Sequence, residues 1–101
     1  MTQNTEFTRF VALVDVNDAN VQNIQEMAAV WGEIRREFEE IGAVVEDAYA
    51  VLGEFDFVVV FEGADTETAF KTDVILERHG LDVQTMPVTD TDAFAELVKD
   101  V

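Results

Sequence analysis

Two side chains of this sequence could move protons. Asp56 stands directly after the turn Gly53-Glu54, at the head of an apolar segment, where a carboxylate could act as a pocket acid or base. His79 is the only histidine, and imidazole is the side chain suited to proton transfer near neutral pH. Each also has a structural reading. A short acidic side chain beside a turn accepts backbone N–H bonds that lock it. A histidine in the last turn of a helix, just before a glycine, complements the helix dipole. Two more residues could shape a pocket. Trp31, the only tryptophan, and Tyr49, the only tyrosine, each pair an apolar body with a polar tip. With Asp56 and Phe57 they form the candidate ligand-binding set. Trp31 lies on an apolar helical stripe and reads first as core packing, while Tyr49 reads equally as a contact with a second subunit.

Other chemistries find no support. The chain has neither serine nor cysteine, so the common nucleophile–histidine arrangements and disulfides are out of reach. It has no glycine-rich phosphate loop. Glu46, Asp47 and Glu62 are the acids nearest to a metal set, but neighbours on a strand face opposite sides, and no ligand spacing is evident. No metal and no cofactor are expected.

The elements that would carry these residues follow from pattern. A strand is expected from Thr8 to Val16, which is rich in β-branched and aromatic residues. Asn17 to Asn20 supplies capping residues. Val21 to Ile41 then shows a helical stripe through Ile24, Met27, Ala28, Trp31, Ile34 and Phe38, closed by Gly42. A second strand runs from Ala43 to Leu52. Gly53-Glu54 forms a tight turn in which Gly53 takes the special backbone conformation, and a third strand spans Phe55 to Phe61, making a hairpin. Asp65-Thr66 caps a second helix reaching His79 and Gly80. A fourth strand spans Leu81 to Val88, with Pro87 placing its end at a sheet edge. Asp90-Thr91 caps a short last helix bearing Phe94, Leu97, Val98 and Val101. The order β-α-β-β-α-β is the ferredoxin-like pattern. The expected fold class is therefore α+β, a single domain over residues 1–101 with a four-stranded antiparallel sheet and a short C-terminal helix.

In that topology both helices cover one sheet face, and the other should be polar. The sequence departs from this. Phe55, Phe57, Val59 and Phe61 share one face of the third strand, yet Val58 and Val60 make the other face apolar as well, and Val11 and Leu13 do the same in the first strand. Central strands that are apolar on both sides need cover on both. A second copy, joined through the sheet face as a homodimer, is the economical answer.

Charge narrows the partners. There are 22 acidic residues against 6 basic ones, a net charge of −16. Nucleic acid is excluded as a partner, because phosphate binding needs lysine and arginine; anionic membrane surfaces are disfavoured likewise. No apolar run reaches the ~18 residues of a membrane helix, and the N-terminus lacks the basic and apolar stretches of a signal peptide, so a cytoplasmic protein is expected. The acids are spread over nearly every expected surface, as in a fold adapted to concentrated salt. In this it resembles proteins of halophilic archaea.

Gly53-Glu54-Phe55-Asp56, preceded by Tyr49 on the second strand and followed by Glu62 and Gly80, resembles the signature of the GYD-domain family. The likeness in order and spacing runs over roughly Phe10 to Val88. Two positions depart from it. Phe55 replaces the signature tyrosine and so lacks its hydroxyl, and Asn17 to Asn20 replaces a threonine–glycine element. The resemblance implies a dimeric α/β barrel, two four-stranded sheets packed face to face. Its superfamily includes small-molecule-binding regulatory domains, cofactor-free oxygenases, isomerases and haem enzymes, so the fold alone names no chemistry. Three functions remain open: a dimeric module that binds a small molecule or another protein, a cofactor-free oxygenase or isomerase with Asp56 or His79 as base, and an assembly unit without a pocket.

Overall fold

The computed structural model describes residues 7–16 and 24–101. The expected capping cluster Asn17 to Asn20 and Val21 lie outside the described residues. Four strands and three helices follow one another as β1 (Thr8–Val16), α1 (Ile24–Glu40), β2 (Val44–Ala50), β3 (Phe57–Gly63), α2 (Thr66–Arg78), β4 (Leu81–Pro87) and α3 (Thr91–Val98). The strands form one antiparallel sheet in the order β2-β3-β1-β4. The fold is α+β and ferredoxin-like, with Pro87 on an edge strand, where its missing N–H costs no ladder bond.

Alternation in the two central strands builds the core. Phe10, Ala12 and Val14 of β1 stand beside Phe61, Val59 and Phe57 of β3 in register. They meet Ile34 and Phe38 of α1 and Ala69, Ile75 and Leu76 of α2. Phe61 is the centre of this layer. Its ring stacks on Phe10 and takes the edge of Phe38, each at 5.3 Å between centroids. Thr72 is buried as well, and its hydroxyl is satisfied by the Ala69 carbonyl at 2.6 Å. In α1 the buried stripe runs through Val30, Trp31, Ile34, Phe38 and Ile41, while Ala28 is exposed.

Helix ends are set by local chemistry. At the close of α1, Gly42 takes φ +85°. Its N–H bonds the Glu39 carbonyl at 3.1 Å, and the Ala43 N–H reaches back to the Phe38 carbonyl at 2.9 Å. This is a Schellman cap, completed by burial of both Ala43 and Phe38. Asp65 caps α2 by accepting from the Thr68 N–H at 2.9 Å and its hydroxyl at 2.8 Å. Asp90 caps α3 through the Ala93 N–H at 2.7 Å.

The hairpin differs from the tight turn expected at Gly53-Glu54. β2 stops at Ala50 and β3 starts at Phe57, so residues 51–56 form a longer loop and Phe55 lies outside the strand. The cause is Asp56. Its N–H bonds the Val14 carbonyl at 2.8 Å, while its own carbonyl accepts from Val51 at 2.9 Å. Gly53 turns this loop at φ +131°, a backbone region that L side chains avoid.

Among the described residues, no helix covers the far face of the sheet. Val11 and Leu13 of β1 lie opposite Val60 and Val58 of β3, and β4 continues the face through Gln84 and Met86. No residue of α3 is buried, so the C-terminal helix does not close it.

Candidate functional site

The residues singled out by type divide between the two sides of the sheet. On the helix side, Phe57 at the start of β3 meets Trp31 of α1 edge-on, with 5.1 Å between ring centroids. The indole N–H of Trp31 is buried and has no acceptor among the described residues. A buried donor without a partner costs on the order of 1–3 kcal/mol, so this position favours an acceptor brought from elsewhere. Asp56 adjoins Phe57 in sequence and ties the ends of two strands. Its Oδ2 accepts from the Val16 N–H at 2.8 Å, in addition to the two backbone bonds of its own peptide units. The carboxylate is thus engaged in positioning β1 against β3.

Tyr49 stands on the opposite side. A bulge between Val45 and Asp47 shifts the β2–β3 register by one residue. Val45 pairs with Phe61 on the helix side, but beyond the bulge Asp47 pairs with Val60 and Tyr49 with Val58, both on the open face. A one-residue slip reverses every later side chain. The structure therefore brings Trp31 and Phe57 together and separates them from Tyr49, whose half-exposed ring extends the open apolar face.

His79 is the C-cap of α2, its N–H bonded to the Leu76 carbonyl at 3.1 Å. Its ring reaches α1, where Nε2 lies 2.8 Å from Glu37 Oε1. That hydrogen bond, more than the neighbouring charges of Arg78 and Arg36, holds the Glu37 carboxyl below its ordinary range. The pair joins the two helices at their C-terminal ends. Glu37 is the partner that pattern reading missed, since nothing in the spacing of residues 37 and 79 connects them.

Arg9 was also missed. It lies on the open face beside Glu62 and bonds Glu46, the bulged residue, at 2.9 Å, with Glu62 at 3.6 Å. The Glu46 bond and charge raise the guanidinium pKa further. One guanidinium thus draws the bulge of an edge strand toward the central strand β1 and puts a charged rim at one end of the apolar face. The described residues hold no cluster of three or more acidic, histidine or cysteine side chains placed to bind a metal. Between α2 and the end of β4 lies a cleft of about 270 Å³, lined by Phe10, Asp65, Phe70, Asp73, Thr85 and Pro87 among others. Asp73 accepts from the Thr85 hydroxyl across it.

The ferredoxin-like order, the glycine-led loop and the aspartate that locks it are features on which a family can be judged. The model of the GYD domain matches residues 10–98, nearly the whole chain. The chain belongs to the GYD domain family. In this GYD domain Gly53 to Asp56 fall in the loop of residues 51–56, where Gly53 supplies the positive φ and Asp56 the cross-strand bonds. Phe55 is partly buried there. Comparison with curated proteins finds no match. No helix among the described residues is long and apolar enough to cross a membrane.

Proposed function

We propose that this GYD domain is a self-pairing interaction module, whose open sheet face packs against the same face of a second copy to form an α/β barrel. The observation that carries the reading is the valine–leucine patch at the centre of that face. Val11, Leu13, Val58 and Val60 are adjacent across the two middle strands. Tyr49 and Met86 extend the patch on the outer strands, both more than a third exposed. An apolar patch framed by charge marks a protein contact, and a two-fold axis lets one patch serve both partners. The Arg9–Glu46–Glu62 cluster supplies the polar rim.

The direct test is native mass in 1–2 M KCl. A mass twice the 11.3 kDa of the chain is expected, and a monomer at millimolar concentration would overturn the reading. The acidic composition further supports a salt-rich cytoplasm as the working compartment.

A second reading is favoured by the Trp31 indole N–H. A small organic ligand carrying a carbonyl or other acceptor would satisfy it, with Phe57 as the apolar wall. A reproducible excess of native mass over two chains would support this, as would a shift in the emission of this single tryptophan on ligand release. The enzymatic alternative draws less support. Asp56 is bound to backbone and His79 to Glu37, so both proposed bases already hold structural bonds.

A further inference from the structure

The chain carries a second uncovered apolar surface. Phe94, Leu97 and Val98 repeat at steps of three and four and so share one stripe of α3. They are 55, 60 and 47% exposed, and the terminal Val101 is fully exposed. An eight-residue helix is too short to persist in water on its own hydrogen bonds. The Asp90 cap helps it start, but the usual source of stability is packing of the apolar stripe, and the described residues provide little. No residue of α3 is buried against the other described elements.

We propose that α3 is an exchanged arm. In the pair, each copy lays the Phe94–Leu97–Val98 stripe on its partner, so that the arm and the open sheet face make one continuous interface. This rests on the self-pairing reading above. Two observations point to a second copy as the occupant. The first is area. Four strands at about 4.8 Å spacing and seven residues at about 3.3 Å give a sheet face of roughly 19 by 23 Å, a little over 400 Å² of footprint. Acids stand along its margins, at Asp15, Asp47, Glu62 and Asp82. A standard interface takes about 800 Å² of accessible surface from each partner, and area beyond the flat sheet face tightens the contact. The exposed parts of Phe94, Leu97, Val98 and Val101 supply roughly 300–400 Å² more. The second is continuity. The arm leaves from the sheet layer, at the rim of the open face, where the Val88 N–H is bonded to the Arg9 carbonyl at 3.0 Å.

The test uses full-length chains in 1–2 M KCl. A one-to-one mixture of isotope-labelled and unlabelled protein reports contacts between copies only, through isotope-filtered nuclear Overhauser effects. Contacts from the Phe94 ring of one copy to the labelled partner are expected. The double variant Phe94→Asp/Leu97→Asp, which alters only exposed positions, is expected to weaken pairing at least a hundredfold in sedimentation equilibrium, while losing no more far-ultraviolet helicity than the eight residues of α3 contribute. A wild-type dimer with no such contacts, or a variant that pairs as tightly as wild type, would overturn the arm and leave the self-pairing reading intact. A wild-type chain that stays monomeric would overturn both.

Discussion

At the scale of single residues, two side chains chosen for their acid–base chemistry prove to be ties. Asp56 bridges the ends of β1 and β3 through the Val16 N–H. Asp56→Asn keeps an acceptor oxygen in place and should be nearly silent, whereas Asp56→Ala should cost about 1 kcal/mol; equal denaturation midpoints for the two variants would refute the tie. His79 joins α2 to Glu37 of α1, and the sign of the pH dependence follows from the Glu37 carboxyl, which the His79 hydrogen bond holds below its ordinary range. A carboxyl lowered in the folded state contributes stability that is present above its unfolded pKa and lost as pH falls through the folded one. Glu37→Gln removes that contribution. The melting temperatures of wild type and variant should therefore differ by a constant amount near pH 5–6 and converge below about pH 4. A difference that stays constant down to pH 3 would show that the ionised Glu37 carboxyl contributes nothing through this bond. Asp65 is lowered in the same direction by the Thr68 N–H and adds to the acid limb of both proteins. Asp56 shows how far residue type can be read from sequence. The turn-locking alternative was visible from its place beside Gly53, but its actual partner, forty positions earlier in the chain, was not.

At the scale of elements, the order and type of all seven were legible, because apolar period and capping residues agree. Asp65 and Asp90 cap the helices they precede, and Gly42 and Gly80 end theirs with positive φ. What alternation could not show is the bulge after Val45. A strict period of two would put Val45, Asp47 and Tyr49 on one face. The extra residue instead sends Asp47 and Tyr49 to the open side, and no residue type in Val44–Ala50 announces it. The Arg9 guanidinium that donates to Glu46 belongs to a strand distant in sequence, as does the Val16 N–H that donates to Asp56. One element junction gives a sharp test. Gly63 ends β3 against the first turn of α2, and a Cβ built there would meet Thr68 Cγ2 at 2.9 Å and Thr68 Cβ at 3.3 Å. Gly63→Ala should cost roughly 1–3 kcal/mol by overpacking. Thr68→Ser removes the closer methyl but keeps a hydroxyl for Asp65, and in the double variant it should recover a large part of that loss. A double-mutant cycle measures the coupling; additive effects would mean that the β3–α2 contact yields freely.

At the scale of the whole molecule, charge and shape pull against each other. Self-pairing would bring together two chains that each carry a net charge of −16, and only 6 basic residues are present to offset it. Four of these, Arg35, Arg36, Lys71 and Arg78, sit on α1 and α2, in the helix layer, where they give the pairing face no help. The apolar patch favours association while the field of each copy opposes it, and salt decides the balance. The screening length is about 10 Å at 0.1 M and about 3 Å at 1 M, so repulsion between acids on facing sheets should collapse over that interval. Both the melting temperature and the pairing constant should therefore rise steeply between 0.1 and 1 M KCl. If screening is the whole effect, both should then level off, because further salt shortens the screening length little. A continued rise from 1 to 3 M would point to salt strengthening apolar burial as well, and sulfate should then outperform chloride at equal ionic strength. The strands make the two cases separable. Replacing Asp15 and Asp82, which face each other across β1 and β4, by asparagine removes charge from the face without removing apolar area. That variant should pair tightly already at 0.1 M KCl if screening governs. If it needs molar salt as wild type does, electrostatic repulsion across the sheet face is not what salt relieves.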